Sequence, residues 1–125
     1  MSVPMFADSS LIDPDQFDML VEAGDSEAAE MLTELLDLFT EESGDNVSEL
    51  LEKLQAGDEA RCIRLAHALA GAAGNLGLMR LSVAARYLEN NFNSHSAEER
   101  LALGQCIQAL YNESIAEYRS KIAAL

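Results

Sequence analysis

The sequence predicts an all-α protein built as an antiparallel helical bundle. Composition is the first reason: Ala, Leu and Glu dominate a 125-residue chain with 6% aromatic residues, no tryptophan and two prolines. Sparse β-branched residues favour helix over strand. The second reason is periodicity, because apolar residues recur at spacings of three and four through several long segments. The third is that short connections separate those segments, and amphipathic helices joined by short loops pack most economically as antiparallel neighbours. At 49% hydrophobic residues, the chain is long enough for one domain with a real core and too short for two.

Residues 1–11 lack periodicity and read as a loosely held arm ahead of a domain spanning 12–125. Asp13-Pro14 then starts a first helix, an N-cap acid followed by proline at the first helical position. Phe17, Leu20 and Val21 give this short helix one apolar stripe, ended by Gly24, and Asp25 or Ser26 restarts the chain. Met31, Leu32, Leu35, Leu36, Phe39, Val47, Leu50, Leu51 and Leu54 recur at helical spacing up to Gly57. The stripe stays in phase across Ser43-Gly44, which predicts one long second helix. Asp58 caps a third helix ending near Leu76, and a tight connection at Gly77 leads to a fourth through Leu81, Ala84, Ala85 and Leu88. A polar loop from Asn90 to His95 follows, and His95 has no evident role there. Ser96-Ala97-Glu98-Glu99 is a capping box for a fifth helix whose core side holds Leu101, Ile107, Leu110, Ile115, Tyr118 and Ile122.

Charge excludes several functions. A net charge of −14 is the opposite of the cationic footprint that binds nucleic acid or anionic lipid. The charge is also uneven: residues 1–59 hold 17 acidic groups against Lys53 alone, while residues 60–125 hold seven cations against five glutamates. One reading is an acidic solvated surface that maintains solubility; the other is a second half that accommodates an anion. Cys62 and Cys106 are far apart with no CxxC and no metal-ligand spacing, so buried, reduced thiols are expected. No signal-like start and no membrane-length apolar run is present, and a cytoplasmic location is expected.

The stretch Ala66-His67-Ala68-Leu69-Ala70-Gly71-Ala72-Ala73-Gly74-Asn75-Leu76-Gly77 stands out, because each glycine inside a helix costs roughly 1 kcal/mol relative to alanine. On a helical wheel Cys62, Leu65, Leu69, Ala72 and Leu76 cluster on a core face opposite His67. The face of His67 carries Ala60 and Ile63 below and Gly71 and Gly74 above, with Arg64 and Asn75 on one flank and Ala70 on the other. Glycines one and two turns beyond the histidine clear an approach to its ring. Close helix packing is the competing explanation, and Gly77 has the ordinary role of a C-cap.

The pattern Ala66-His67-x-Leu69-x-Gly71-Ala72-Ala73-Gly74-x-Leu76-Gly77-Leu78 followed by Leu81 resembles the signature of histidine-containing phosphotransfer (HPt) domains. Ile12-Asp13-Pro14-Asp15-Gln16-Phe17, Leu35-x-x-x-Phe39 and Gly57-Asp58 are similar to the same family in order and spacing, so the resemblance extends from residue 11 onward. It implies an all-α antiparallel four-helix bundle with a short additional N-terminal helix. It further implies that His67 is the phospho-accepting residue, carrying a phosphoryl group on Nε2 between receiver-domain aspartates. The partners implied are response-regulator receiver domains and a hybrid sensor histidine kinase, with the receiver bringing its own Mg²⁺. The domain itself would be a phosphoryl carrier and not an enzyme, a monomer without cofactor or bound metal. A neutral imidazole near pH 7 suits that nucleophilic role.

One departure is plain: the family commonly has lysine three residues after the histidine, and this chain has Ala70. Arg64, three residues before His67 on the same face, is a candidate substitute cation, and a solvated arginine is the alternative. Ile63 offers apolar docking area or tucks against the first helix, and Asn75 supports either the site or the helix end. A degenerate adaptor that binds receiver or kinase domains without phosphotransfer is the alternative function. A bundle di-iron site is poorly supported, since the residues three before His67 and His95 are Arg64 and Phe92 and neither is a carboxylate.

Overall fold

The structure, a computed structural model, describes Pro4 and residues 6–125. Five helices run in order: α1 (Pro14–Gly24), α2 (Ala28–Ala56), α3 (Glu59–Leu76), α4 (Met79–Asn91) and α5 (Ala97–Ala123). A single 3-10 turn, Asp25–Glu27, joins α1 to α2, and another, Phe92–Ser94, leads from α4 towards α5. The arm expected over residues 1–11 begins in residues 1–3 and 5, which lie outside the described ones. From Phe6 onward it is docked and not loose. Phe6 stacks edge-on against Tyr87 with ring centroids 5.5 Å apart, and Arg80 Nε donates to the Ser9 carbonyl at 2.9 Å.

Local chemistry sets the boundaries. Asp13 accepts from the Asp15 amide, Asp58 accepts from the Arg61 amide, and Ser96 and Glu99 form the reciprocal capping box. Gly57 and Gly77 close α2 and α3 in the left-handed conformation, at φ 74° and 84°. At Gly77 a side chain is doubly disfavoured, because a Cβ would also sit 3.1 Å from Gln16. The second helix runs unbroken through Ser43-Gly44. There Ser43 bonds the Phe39 carbonyl and shares a 3.0 Å hydrogen bond with the Tyr111 hydroxyl of α5.

The tight connections force antiparallel neighbours, and α2–α3, α3–α4, α4–α5 and α2–α5 contacts close a four-helix ring. The ring is uneven in length, with 29 and 27 residues in α2 and α5 against 18 and 13 in α3 and α4. The long pair therefore projects beyond the short pair, and α1 covers the projecting end. Its Phe17 packs edge-on against Tyr118 of α5 at 5.3 Å, under the Lys121 ammonium. Its start is tied to the α3–α4 turn by the Asp13 amide donating to the Gly77 carbonyl at 2.8 Å. This is the short additional N-terminal helix of the expected fold, and it has an identifiable packing task.

Two pairs of helices approach closely. α3 and α4 are the most closely associated pair, and their buried residues include Ala66, Ala70 and Ala73 on α3 and Ala84 and Ala85 on α4, all without solvent exposure. Between α2 and α5, a Cβ on Gly104 would collide with Leu54 Cδ1. The buried face of α5 is wider than its expected stripe: it adds Leu103, Tyr111 and Ser114, while Leu101, Ile115 and Ile122 are only half-buried. A helix with neighbours on three sides buries more than one stripe. The loop before α5 is also less polar in its setting than in its letters, since Phe92 and His95 are buried. His95 Nε2 and the Tyr87 hydroxyl share a 2.7 Å hydrogen bond. Cys62 is buried and Cys106 half-buried, both as free thiols.

Gly104→Val is expected to lower the unfolding free energy by about 2 kcal/mol in urea denaturation, through overpacking against Leu54. Tyr118 has a fully buried hydroxyl without a hydrogen-bond partner among the described residues, and burial pushes its phenol pKa up to about 12. Tyr118→Phe is therefore expected to raise stability by about 1 kcal/mol, and a loss of that size would reveal a partner for the hydroxyl.

Candidate functional site

The site begins with α3, whose Asp58 cap and Gly77 stop define the helix and whose buried face fixes its rotation. Cys62, Leu65, Leu69 and Leu76 are buried as the wheel predicts, with Ala72 half-buried. His67 points the other way, and its side chain is 67% exposed. The ring is nevertheless held: Nδ1 lies 2.7 Å from Glu89 Oε2 of α4. An ionised carboxylate only accepts, so Nδ1 carries a proton, and in the neutral ring that tautomer leaves the lone pair on Nε2. The free nitrogen is the one at the exposed tip of the ring.

Glu89 is itself constrained. Its side chain is largely buried, and its second oxygen, Oε1, makes no hydrogen bond among the described residues. The Arg86 guanidinium, one turn earlier on α4, stands 3.7 Å from that oxygen. That is within ion-pair range but too long for a hydrogen bond. Imidazole and guanidinium thus address the two oxygens of one carboxylate.

The structure distributes the other sequence-predicted residues as follows. Gly71 is exposed, with open space where a Cβ would stand. Gly74 is exposed too, but its Cβ would sit 3.3 Å from Ser82 Oγ, so it also permits the close approach of α4. Arg64 is exposed and makes no hydrogen bond or ion pair among the described residues. Ile63 is half-buried against the edge of the core. Asn75 is exposed, and its backbone carbonyl accepts from Gln16 Nε2 at 3.0 Å, which ties the end of α3 to α1.

Ala70 corrects the wheel. It was expected on the flank of the exposed face, yet its exposure is 0%. The cause is α4, which overlaps that flank closely enough for Ser82 Oγ to donate to the Ala70 carbonyl at 2.8 Å. Glu89 and Arg86 are functional candidates that the sequence reading did not single out. The available signal was an Arg-x-x-Glu pair on a helix otherwise facing the core with Ala and Leu. No cluster of three His, Cys, Asp or Glu side chains suited to a metal ion occurs among the described residues, and no described helix is long and apolar enough to cross a membrane.

An exposed, oriented imidazole on a four-helix bundle is the arrangement in which to look for a phosphoryl carrier. The family model for the Hpt domain matches residues 34–118. The chain belongs to the Hpt domain family. Hpt domains carry phosphoryl groups in phosphorelays with receiver domains and kinases, which makes this chain a phosphorelay phosphotransfer protein. The fold agrees. The crystal structure of histidine-containing phosphotransfer protein B (HptB) from Pseudomonas aeruginosa PAO1 is similar, with a TM-score of 0.75 at 22% identity over 92% of this chain and 96% of that one. An X-ray structure of a rice histidine-containing phosphotransfer protein gives a TM-score of 0.69 at 16% identity, over 90% of this chain and 79% of that one. A comparison with curated proteins gave no match.

The Glu89 contact yields a direct expectation for this Hpt domain. In the neutral ring the imidazole ¹⁵N shifts of His67 should report a protonated Nδ1 and a bare Nε2. Glu89→Gln keeps an oxygen acceptor and should keep that tautomer, whereas Glu89→Ala should shift the ring towards the Nε2-protonated form. Identical shifts in wild type and Glu89→Ala would remove the carboxylate from any role in orienting the ring.

Proposed function

We propose that His67 is the phospho-accepting residue, taking a phosphoryl group from one receiver-domain aspartate and delivering it to another. The observation that carries this reading is the free Nε2 on an exposed ring whose Nδ1 is engaged by Glu89 at 2.7 Å. In the forward step Nε2 attacks phosphorus, the N–P bond forms, and the P–O bond to the partner aspartate breaks with its electron pair leaving on the carboxylate. The proton stays on Nδ1, so the phosphorylated ring is cationic, and Glu89 stabilises that charge. Transfer of this kind depends on positioning and charge stabilisation. The acyl phosphate and the divalent ion belong to the receiver, so the carrier has only to present the ring.

The docking surface proposed is the exposed face of α3 around the histidine: Ile63, Arg64, Gly71, Gly74 and Asn75. Beside it, on the α2 side, lies a largely apolar groove lined by Leu20, Leu35, Leu38, Phe39, Ala72 and Leu76 together with Glu42 and Asn75. Leu38 there is 51% exposed, and exposed leucine beside a small-residue face suits a protein partner. The relay partners proposed are response-regulator receiver domains and a hybrid sensor histidine kinase, and the domain, residues 12–125, acts as a cytoplasmic monomer.

Incubation with a ³²P-phosphorylated receiver domain tests this. Acid-labile label is expected on the wild-type chain and on none of the His67→Gln variant. Stable complex formation without label would replace the carrier by the adaptor reading, in which the domain binds receivers but transfers nothing.

A further inference from the structure

The phosphorylated ring poses a charge problem that the residues of α3 leave unsolved. A phosphoryl group on Nε2 brings two negative charges beside the carboxylate of Glu89, and only the imidazolium offsets them. Position 70, which leans back towards His67 because helical side chains tilt towards the N-terminus, holds a buried alanine. Arg64 lies on the other side of His67 in the chain, so the same tilt carries its side chain away from the ring.

Most other arginines are committed elsewhere. Arg61 is clamped to Glu49 by two hydrogen bonds of 2.6 and 2.9 Å, and Arg80 donates to Ser9. Arg100 donates to the carbonyls of Phe92 and His95, and Arg119 pairs with Asp37. Arg86 is different. Two cross-helix contacts fix the register of α4 on α3, Ser82 with Ala70 and Glu89 with His67, and Asn93 in the turn after α4 bonds Glu59 at the start of α3. Arg86 lies between the first two, so it stands across from the stretch that contains His67. Its side chain is 50% exposed, it makes no hydrogen bond among the described residues, and its guanidinium faces the same carboxylate that holds the ring.

We infer that Arg86 is the cation that serves the phosphoryl group on His67, supplied from α4 where the family pattern has a lysine on α3. This rests on the phosphocarrier reading of His67. Before transfer, Arg86 sits beside Glu89 Oε1 and supports the carboxylate in the position that orients the ring. On transfer, its unused N–H donors turn to the phosphoryl oxygens, while Glu89 goes on accepting the hydrogen bond from Nδ1–H. Guanidinium suits this better than ammonium, because its planar fork binds two oxygens at once and stays charged. The burial of Ala70 and the release of Arg86 from hydrogen bonds are then two sides of one arrangement: the cation has moved from one wall of the seam to the other.

The test compares Arg86→Ala, Arg86→Lys and Arg64→Ala in single-turnover transfer from a phosphorylated receiver, with circular dichroism to confirm the fold. Arg86→Ala is expected to slow label transfer to His67 by about tenfold, less than an enclosed oxyanion donor because the site is open to water. Arg86→Lys should recover part of the rate, and Arg64→Ala should stay within about twofold of wild type by the tilt argument. The Arg86 Nε–H proton resonance should move on phosphorylation of His67, a response that a merely structural arginine would lack. Wild-type transfer with an unchanged rate in Arg86→Ala, or a loss in Arg64→Ala alone, would overturn the assignment and leave the carrier reading intact. Absence of label on wild-type His67 would overturn both.

Discussion

The seam between α3 and α4 governs the rest of the site. Five alanines with no solvent exposure let the two backbones come close enough for a serine of one helix to bond a carbonyl of the other. Small residues in a helix interface gain less from burial per residue than leucines do, but they allow dense packing and short cross-helix reach. That reach is what the histidine needs. A carboxylate on α4 meets Nδ1 only because α4 is near, and the same proximity removes position 70 from the surface. The oriented imidazole and the missing lysine therefore have one cause.

The remainder of the bundle supports this seam from outside. Long α2 and α5 form the opposite wall, locked by the close approach at Gly104 and by the Ser43–Tyr111 hydrogen bond. The short α1 covers the end that α3 and α4 do not reach, and its tie to Gly77 holds the α3–α4 turn in place. Arg61 binds α3 to α2 through Glu49, whose carboxyl it holds below the ordinary glutamate range. The segment from Phe6 onward docks on α4 by setting Phe6 against Tyr87 and the Ser9 carbonyl against Arg80. None of these contacts touches His67, yet each limits how far the seam can open.

Much of this was legible in the sequence because it is local. The caps at Asp13, Asp58 and Ser96, the stop at Gly77 and the exposure of His67 follow from the spacing of residues within one helix. What was not legible depends on distance between helices. Periodicity says which face of α3 is buried, but it does not say how far α4 overlaps the flank, so Ala70 read as surface. Glu89 lies 22 residues from His67, and only the register across the Gly77 turn brings the two together. Gly74 read as clearance for the ring and also proved to be clearance for Ser82. Phe6 and His95, in segments without periodicity, are ordered by contacts with Tyr87 that no local pattern announces.

On the proposed carrier reading, the seam makes Glu89 hold Nδ1 and thereby reserves Nε2 for phosphorus. The position of the N–P bond in the phosphorylated protein tests this most directly, read from ¹⁵N–³¹P coupling in uniformly ¹⁵N-labelled chain after transfer from a receiver. Coupling to His67 Nε2, with Nδ1 still protonated, is the predicted result. Phosphorus on Nδ1, or on a residue other than His67, would contradict it.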